Sequence, residues 1–206
     1  ENFKDKRLIQ NLINNFLIYT NSFVFESVEK GKIRGRYTIF GKNPDKIWEL
    51  NNNKVYFIKN RTRKIINKFP YTFLKQIVEE FKFQTPKNLP PVCSLLAGFF
   101  SYDIARYIEK IPNKCSDDLN LPDVRILRPT SLIIHDNVKK KIFYIVNCFH
   151  DEEISNYETR LKEIKKELIS LKKCTIFKYK NSLKIYSKKN QIKKIKSNIS
   201  KKYFKK

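Results

Sequence analysis

The chain has 206 residues, enough for one large domain or two small ones, and a domain of that size buries roughly 70% of its unfolded surface without needing disulfides or metals. Apolar residues make up 41% and aromatics 14%, with only four glycines and eight prolines, which excludes disordered, collagen-like and low-complexity chains. The formal net charge is +24, but residues 160–206 hold 18 cations against two acids; nearly all of these are Lys rather than the Arg that reads guanine bidentately, so the charge describes a tail, and no nucleic-acid partner is expected.

Leu8, Leu12, Ile13, Phe16 and Leu17 have helical spacing, which predicts a short amphipathic helix over 5–20. Residues 22–26 (S-F-V-F-E) and 35–41 (G-R-Y-T-I-F-G) read as strands. Residues 46–50 and 54–59 flank Asn51, Asn52 and Asn53, and Asn tolerates positive φ, so a hairpin with a three-residue loop is expected. Over 72–81 the spacing puts Phe73, Leu74, Ile77, Val78 and Phe81 on one helical face. Residues 104–110 look helical, and 112–123 read as a loop. Strands at 131–135 and 141–148 surround a turn at Asp136 and Asn137. Ile154, Tyr157, Leu161, Ile164, Leu168 and Leu171 predict a helix over 152–173 with a narrow apolar stripe. Short strands at 175–179 and 183–186, a basic linker over 188–196 and a helix N-cap at Ser200 complete the reading. Hairpins with separate helices and no regular β-α-β alternation predict an α+β fold, with antiparallel sheets packed against several helices.

The four cysteines (Cys93, Cys115, Cys148 and Cys174) contain no C-x-x-C pair, which disfavours zinc and thioredoxin-type sites and suits reduced thiols. No apolar run approaches the ~20 residues that span a bilayer, and no signal peptide is visible, so a cytoplasmic chain is expected. There is no phosphate-cradling glycine loop, no H-E-x-x-H and no G-x-S-x-G. His135 reads as a strand-end packing residue, and Asp117-Asp118 as a turn. No catalytic residue and no metal ligand is assigned.

The informative stretch is 23–41, F-V-F-E-S-V-E-K-G-K-I-R-G-R-Y-T-I-F-G. Two strands flank a turn, and Glu26, Ser27 and Arg36 are placed to meet on one side of the sheet. A carboxylate, a hydroxyl and a guanidinium together complement a zwitterionic amino acid. A cross-strand Glu–Arg pair of purely structural value fits the same spacing.

The same stretch, continued by Asn43-Pro44-Asp45-Lys46-Ile47-Trp48, resembles the E-S-V-E…G-R-Y-S-x-x-G-x-x-P segment of anthranilate synthase component I, a family of chorismate-utilising enzymes. Leu89-Pro90-Pro91 and Ala97-Gly98-Phe99-Phe100-Ser101-Tyr102-Asp103, with Arg106 to Pro112, resemble its G-Y-x-G-Y-D-x-x-R-x-x-E-x-x-P segment. Asp118 to Asp123, then Arg128-Pro129-Thr130, then Ser197-Asn198-Ile199-Ser200 follow in the family's order. Ser101 departs from the pattern by replacing a glycine. Phe25 and Thr38 are milder changes.

The resemblance implies the N-terminal part of an enzyme that converts chorismate and ammonia to anthranilate and pyruvate, a lyase of tryptophan biosynthesis. A glutamine amidotransferase subunit would supply the ammonia, and Mg²⁺ would sit in the catalytic half. Residues 1–187 would then be a regulatory and scaffold domain. Residues 188–206 would be a basic linker opening the chorismate-binding domain, so both ends of the chain are expected to continue in the parent protein, and this segment alone would be inactive. The family's tryptophan-effector serine falls on Ser27, next to Glu26, and its basic contact on Arg36. Two alternatives share these features: the N-terminal half of aminodeoxychorismate synthase component I, against which E-S-V-E…G-R-Y and Arg128-Pro129-Thr130 weigh, and a stand-alone tryptophan-binding remnant without enzymatic activity.

Overall fold

The computed structural model describes residues 17–27, 34–59, 62–112, 117, 119–151 and 154–174. Among them are seven strands and two α-helices: β1 (Phe23–Phe25), β2 (Tyr37–Asn51), β3 (Lys54–Lys59), β4 (Thr62–Ile66), α1 (Pro70–Glu80), β5 (Ala97–Phe100), β6 (Val124–Asp136), β7 (Lys141–Val146) and α2 (Ile154–Cys174). The strands form one antiparallel sheet in the order β4-β3-β2-β6-β5, with β1 beside β2 and β7 beside β6. The expected α+β class with antiparallel hairpins is therefore what the molecule has. The chain divides into Glu1–Leu168 and Ile169–Lys206; of the second unit only the helical residues 169–174 are described. The helix expected over 5–20 lies outside the described residues except for 17–20, which form a turn. The elements expected beyond 174 also lie outside them.

The sheet is organised by one seam. β2 and β6 pair from Tyr37 opposite Asp136 to Leu50 opposite Val124, with a shift in register between Pro44 and Lys46. The strands expected at 35–41 and 46–50 are thus one element bent at a bulge. Pro44 faces Pro129 there. Neither has an N–H to contribute to a ladder, so setting them opposite each other at the bulge confines the loss to one place. Asn43, at φ 51°, absorbs the bend, and the Thr130 hydroxyl donates to its carbonyl at 2.5 Å.

The β2–β3 hairpin differs from expectation by one residue. Asn51 pairs with Lys54, leaving a two-residue loop of Asn52 and Asn53 at φ 49° and 58°. Positive φ at both central positions is the type I′ geometry that matches strand twist, and Asn is among the few residues that adopt it cheaply.

Helix α1 starts with Pro70 in its first turn, where the missing N–H costs nothing. It buries Phe73 and Ile77 against Leu50, Val55, Val124 and Ile126. Val78 does not join this face: one residue round the helix from Ile77, it is 68% exposed. A second cluster joins Cys93, Leu132, Ile134 and Ile145, with Phe23, Tyr37 and Ile39 packed at its border. Burial pushes the Cys93 thiol pKa up, which keeps it protonated.

The helix expected over 104–110 is a 3₁₀ segment, Tyr102–Tyr107. Arg106 donates to Asp103 at 2.7 Å and to the Pro112 carbonyl at 2.8 Å. The Tyr107 hydroxyl donates to Asp123 at 2.6 Å, and its pKa is raised by burial and then by that carboxylate. Ser101, where the family pattern has glycine, sits at φ −73° and ψ 164°, extended backbone that any residue adopts.

Candidate functional site

β1 runs antiparallel to β2, with Phe23 opposite Gly41, Val24 opposite Phe40 and Phe25 opposite Ile39. The Phe23 ring lies over Gly41, where a Cβ would collide with it. The ring also stacks at 4.8 Å on Phe25. Beyond β1, Glu26 and Ser27 continue alongside the start of β2. Together, residues 24–27, 35–37 and Ile39 line an open concavity of about 490 Å³, within the size range of small-molecule sites. Its apolar wall comes from Val24, Phe25, Tyr37 and Ile39, and its polar groups are those of Glu26, Ser27 and Arg36.

All three sequence-predicted residues therefore border one cavity, though not as a cross-strand pair. Arg36 turns to Asp136 instead, donating from Nε at 3.2 and 3.3 Å and from Nη2 at 2.8 Å. Among the described residues, the Glu26 carboxylate and the Ser27 hydroxyl make no ion pair or hydrogen bond. The Glu26–Arg36 ion pair that the spacing allowed is not formed.

Asp136 was legible in the sequence only as a turn residue. It is 1% exposed, and its Oδ1 accepts the N–H groups of Val138 and Lys139 at 2.9 and 3.0 Å. Burial alone would raise its pKa. Arg36 and those two N–H groups outweigh burial and hold it below the ordinary carboxylate value. The hydrogen bond to Asp136 raises Arg36 in turn. Asn137 secures the same corner: its N–H donates to the Arg36 carbonyl at 2.7 Å and its amide to the Gly35 carbonyl at 3.2 Å. Gly35, at φ 68°, makes the left-handed step that starts β2 here.

A second polar cluster lies at the bulge. Arg128 grips Asp45 with Nε at 2.9 Å and with Nη2, and Nη2 also reaches Asp151 at 2.8 Å. Lys46 pairs with Asp151 as well. The Phe149 ring lies 3.9 Å from the guanidinium. Burial works to raise Asp151, but Lys46 and Arg128 overcome it and bring it to about 2. Every charge here has a protein partner, so the cluster is structural. His135 is buried opposite Thr38, and Asp117 accepts from the N–H groups of Leu119 and Asn120, as a turn does. Among the described residues no three His, Cys, Asp or Glu converge to hold a metal, and no described helix is long and apolar enough to cross a membrane.

A family model described as chorismate binding enzyme matches residues 20–206. The chain belongs to the chorismate binding enzyme family. Relatives within reach of this family member are 33% identical over 187 residues in anthranilate synthase component 1 of Acetivibrio thermocellus, covering 88% of this chain and 37% of that one, and 30% identical over 141 residues in the Cereibacter sphaeroides protein of the same name, covering 66% and 28%. The chloroplastic anthranilate synthase alpha subunit 1 of Oryza sativa subsp. indica is 34% identical over 152 residues, covering 66% and 26%. The crystal structure of anthranilate synthase component I from Streptococcus pneumoniae TIGR4 has the same fold, with a TM-score of 0.56 at 21% identity over 82% of this chain and 36% of that one. The chain thus spans well under half the length of the relatives it matches. The family resemblance carried by the motifs is borne out.

Proposed function

We propose that this chain is the regulatory and scaffold part of an anthranilate synthase component I. In this reading the parent protein converts chorismate and ammonia to anthranilate and pyruvate in the cytoplasm. A glutamine amidotransferase subunit delivers the ammonia, and residues 188–206 open the chorismate-binding domain. The catalytic groups and Mg²⁺ belong to that domain. Among the described residues no three His, Cys, Asp or Glu converge to hold a metal. The segment itself is non-catalytic and binds L-tryptophan as a feedback effector.

What supports the effector reading most is that Glu26, Ser27 and Arg36 border one concavity with an aromatic wall in a chain of this family. The Glu26 carboxylate suits an α-ammonium group; Ser27 and Arg36 suit an α-carboxylate. Val24, Phe25 and Tyr37 suit an aromatic side chain. Inhibition then follows by linkage: tryptophan binds one conformation of the enzyme better and shifts the population towards it.

Calorimetric titration of L-tryptophan into the full chain tests this. Saturable binding is expected, weakened roughly tenfold by Ser27→Ala through loss of a hydrogen bond to a charged group. Equal binding by the two proteins, or none by either, overturns it.

A further inference from the structure

We infer that Asp136 is a positioning residue for this site: it aims the Arg36 guanidinium at the carboxylate of an incoming amino acid. The inference rests on the effector reading above and extends it to a residue that lies outside the cavity.

Arg36 borders the concavity and Asp136 does not. Asp136 is the last residue of β6, paired in register with Tyr37, and it holds Arg36 without itself lining the concavity. Its bonds consume the Nε–H and Nη2 side of the guanidinium. A guanidinium offers five N–H donors in a rigid plane, so fixing one edge also fixes where the remaining donors point. Nη1 makes no bond among the described residues.

The carboxylate is itself immobilised, by the N–H groups of Val138 and Lys139, and the Arg36 backbone is pinned by Asn137. An arginine on a strand end ordinarily loses substantial rotamer freedom when it binds a ligand. Here that ordering is completed before the ligand arrives, which is how preorganisation raises affinity. The pair also has no net charge. Recognition therefore comes from the direction of the N–H groups, and it selects ligands that carry a carboxylate.

The discriminating comparison is L-tryptophan against tryptamine, which keeps the indole and the ammonium but has no carboxylate. Calorimetry on the full chain is expected to show tryptophan bound at least tenfold more tightly, the worth of one hydrogen bond to a charged group. Asp136→Asn keeps an acceptor for Val138 and Lys139 but loses the charge that orients Arg36. It should cut tryptophan affinity about tenfold, leave tryptamine unchanged and so erase the preference. Asp136→Glu, charged but one methylene longer, should fall between the two. Circular dichroism checks that each variant folds, and if Asp136→Asn does not, Asp136→Glu decides: tryptophan weakened with tryptamine unchanged supports the inference. An undiminished preference in the variants, or an equal fall for both ligands, overturns it while leaving the effector reading in place. A wild-type chain that binds neither ligand overturns both.

Discussion

Arg128 is surrounded by two carboxylates and an aromatic ring, and this has a cost as well as a use. Taking a guanidinium out of water is unfavourable, and only a complete set of partners offsets it. Burial therefore works to lower its pKa, while Asp45 and Asp151 together raise it. Asp151 carries the pH consequence. Its folded pKa of about 2 lies below the ordinary 3.8, so it contributes stability above the unfolded value, and that contribution is lost as pH falls from about 5 towards 2. At most about 2 kcal/mol is involved. Arg128→Met should cost about 3 kcal/mol at pH 7, because Asp45 stays buried without its partner. The same change should flatten part of the acid-side slope. Urea unfolding at pH 7 and pH 3 measures both, and identical acid sensitivity in the two proteins would contradict the assignment.

Among the elements, β5 comes especially close to the backbone of its neighbour at Gly98. A Cβ on Gly98 would strike the backbone carbonyl of Arg125 in β6, whereas one on Gly41 would meet only the movable end of the Phe23 ring. Gly98→Ala should therefore destabilise by about 2 kcal/mol, and Gly41→Ala by less than about 1. Equal urea midpoints would refute the distinction. Legibility in the sequence follows the same physics. β1 and the Asn52-Asn53 turn were readable because F-V-F and consecutive asparagines carry local signals. The length of β6 was not, since the strand is buried on both faces along most of its length and shows no alternation. Nor was β4, whose T-R-K-I-I is largely exposed and edge-like. Glu26, Ser27 and Arg36 were readable as a motif. Asp136, 100 residues from Arg36, was not, because its role exists only once β2 lies against β6.

At the scale of the whole molecule, β5 and the segments around it leave Phe99, Phe100, Tyr102, Ile108, Leu119 and Leu121 exposed, with Tyr102 at 89%. Among the described residues β5 pairs with a strand on one side only. Exposed apolar side chains gathered along one stretch of chain offer binding sites for hydrophobic probes, so the isolated chain should bind a hydrophobic fluorescent dye, and Phe100→Ser with Tyr102→Ser should reduce the signal by about half if this surface dominates. An isolated chain that leaves the dye dark would contradict it.

The β2–β6 seam has a consequence for how the chain is made. Side-chain partners across it are 76 to 100 residues apart in sequence, so closing it requires a large entropic loop closure before any pairing is gained. The β2–β3 hairpin can form early in synthesis, but the inner edge of β2 finds its first mate only once Val124 has emerged from the ribosome and its last once Asp136 has. During that interval an apolar strand waits with an open edge, which is the state that chaperones bind and aggregates recruit.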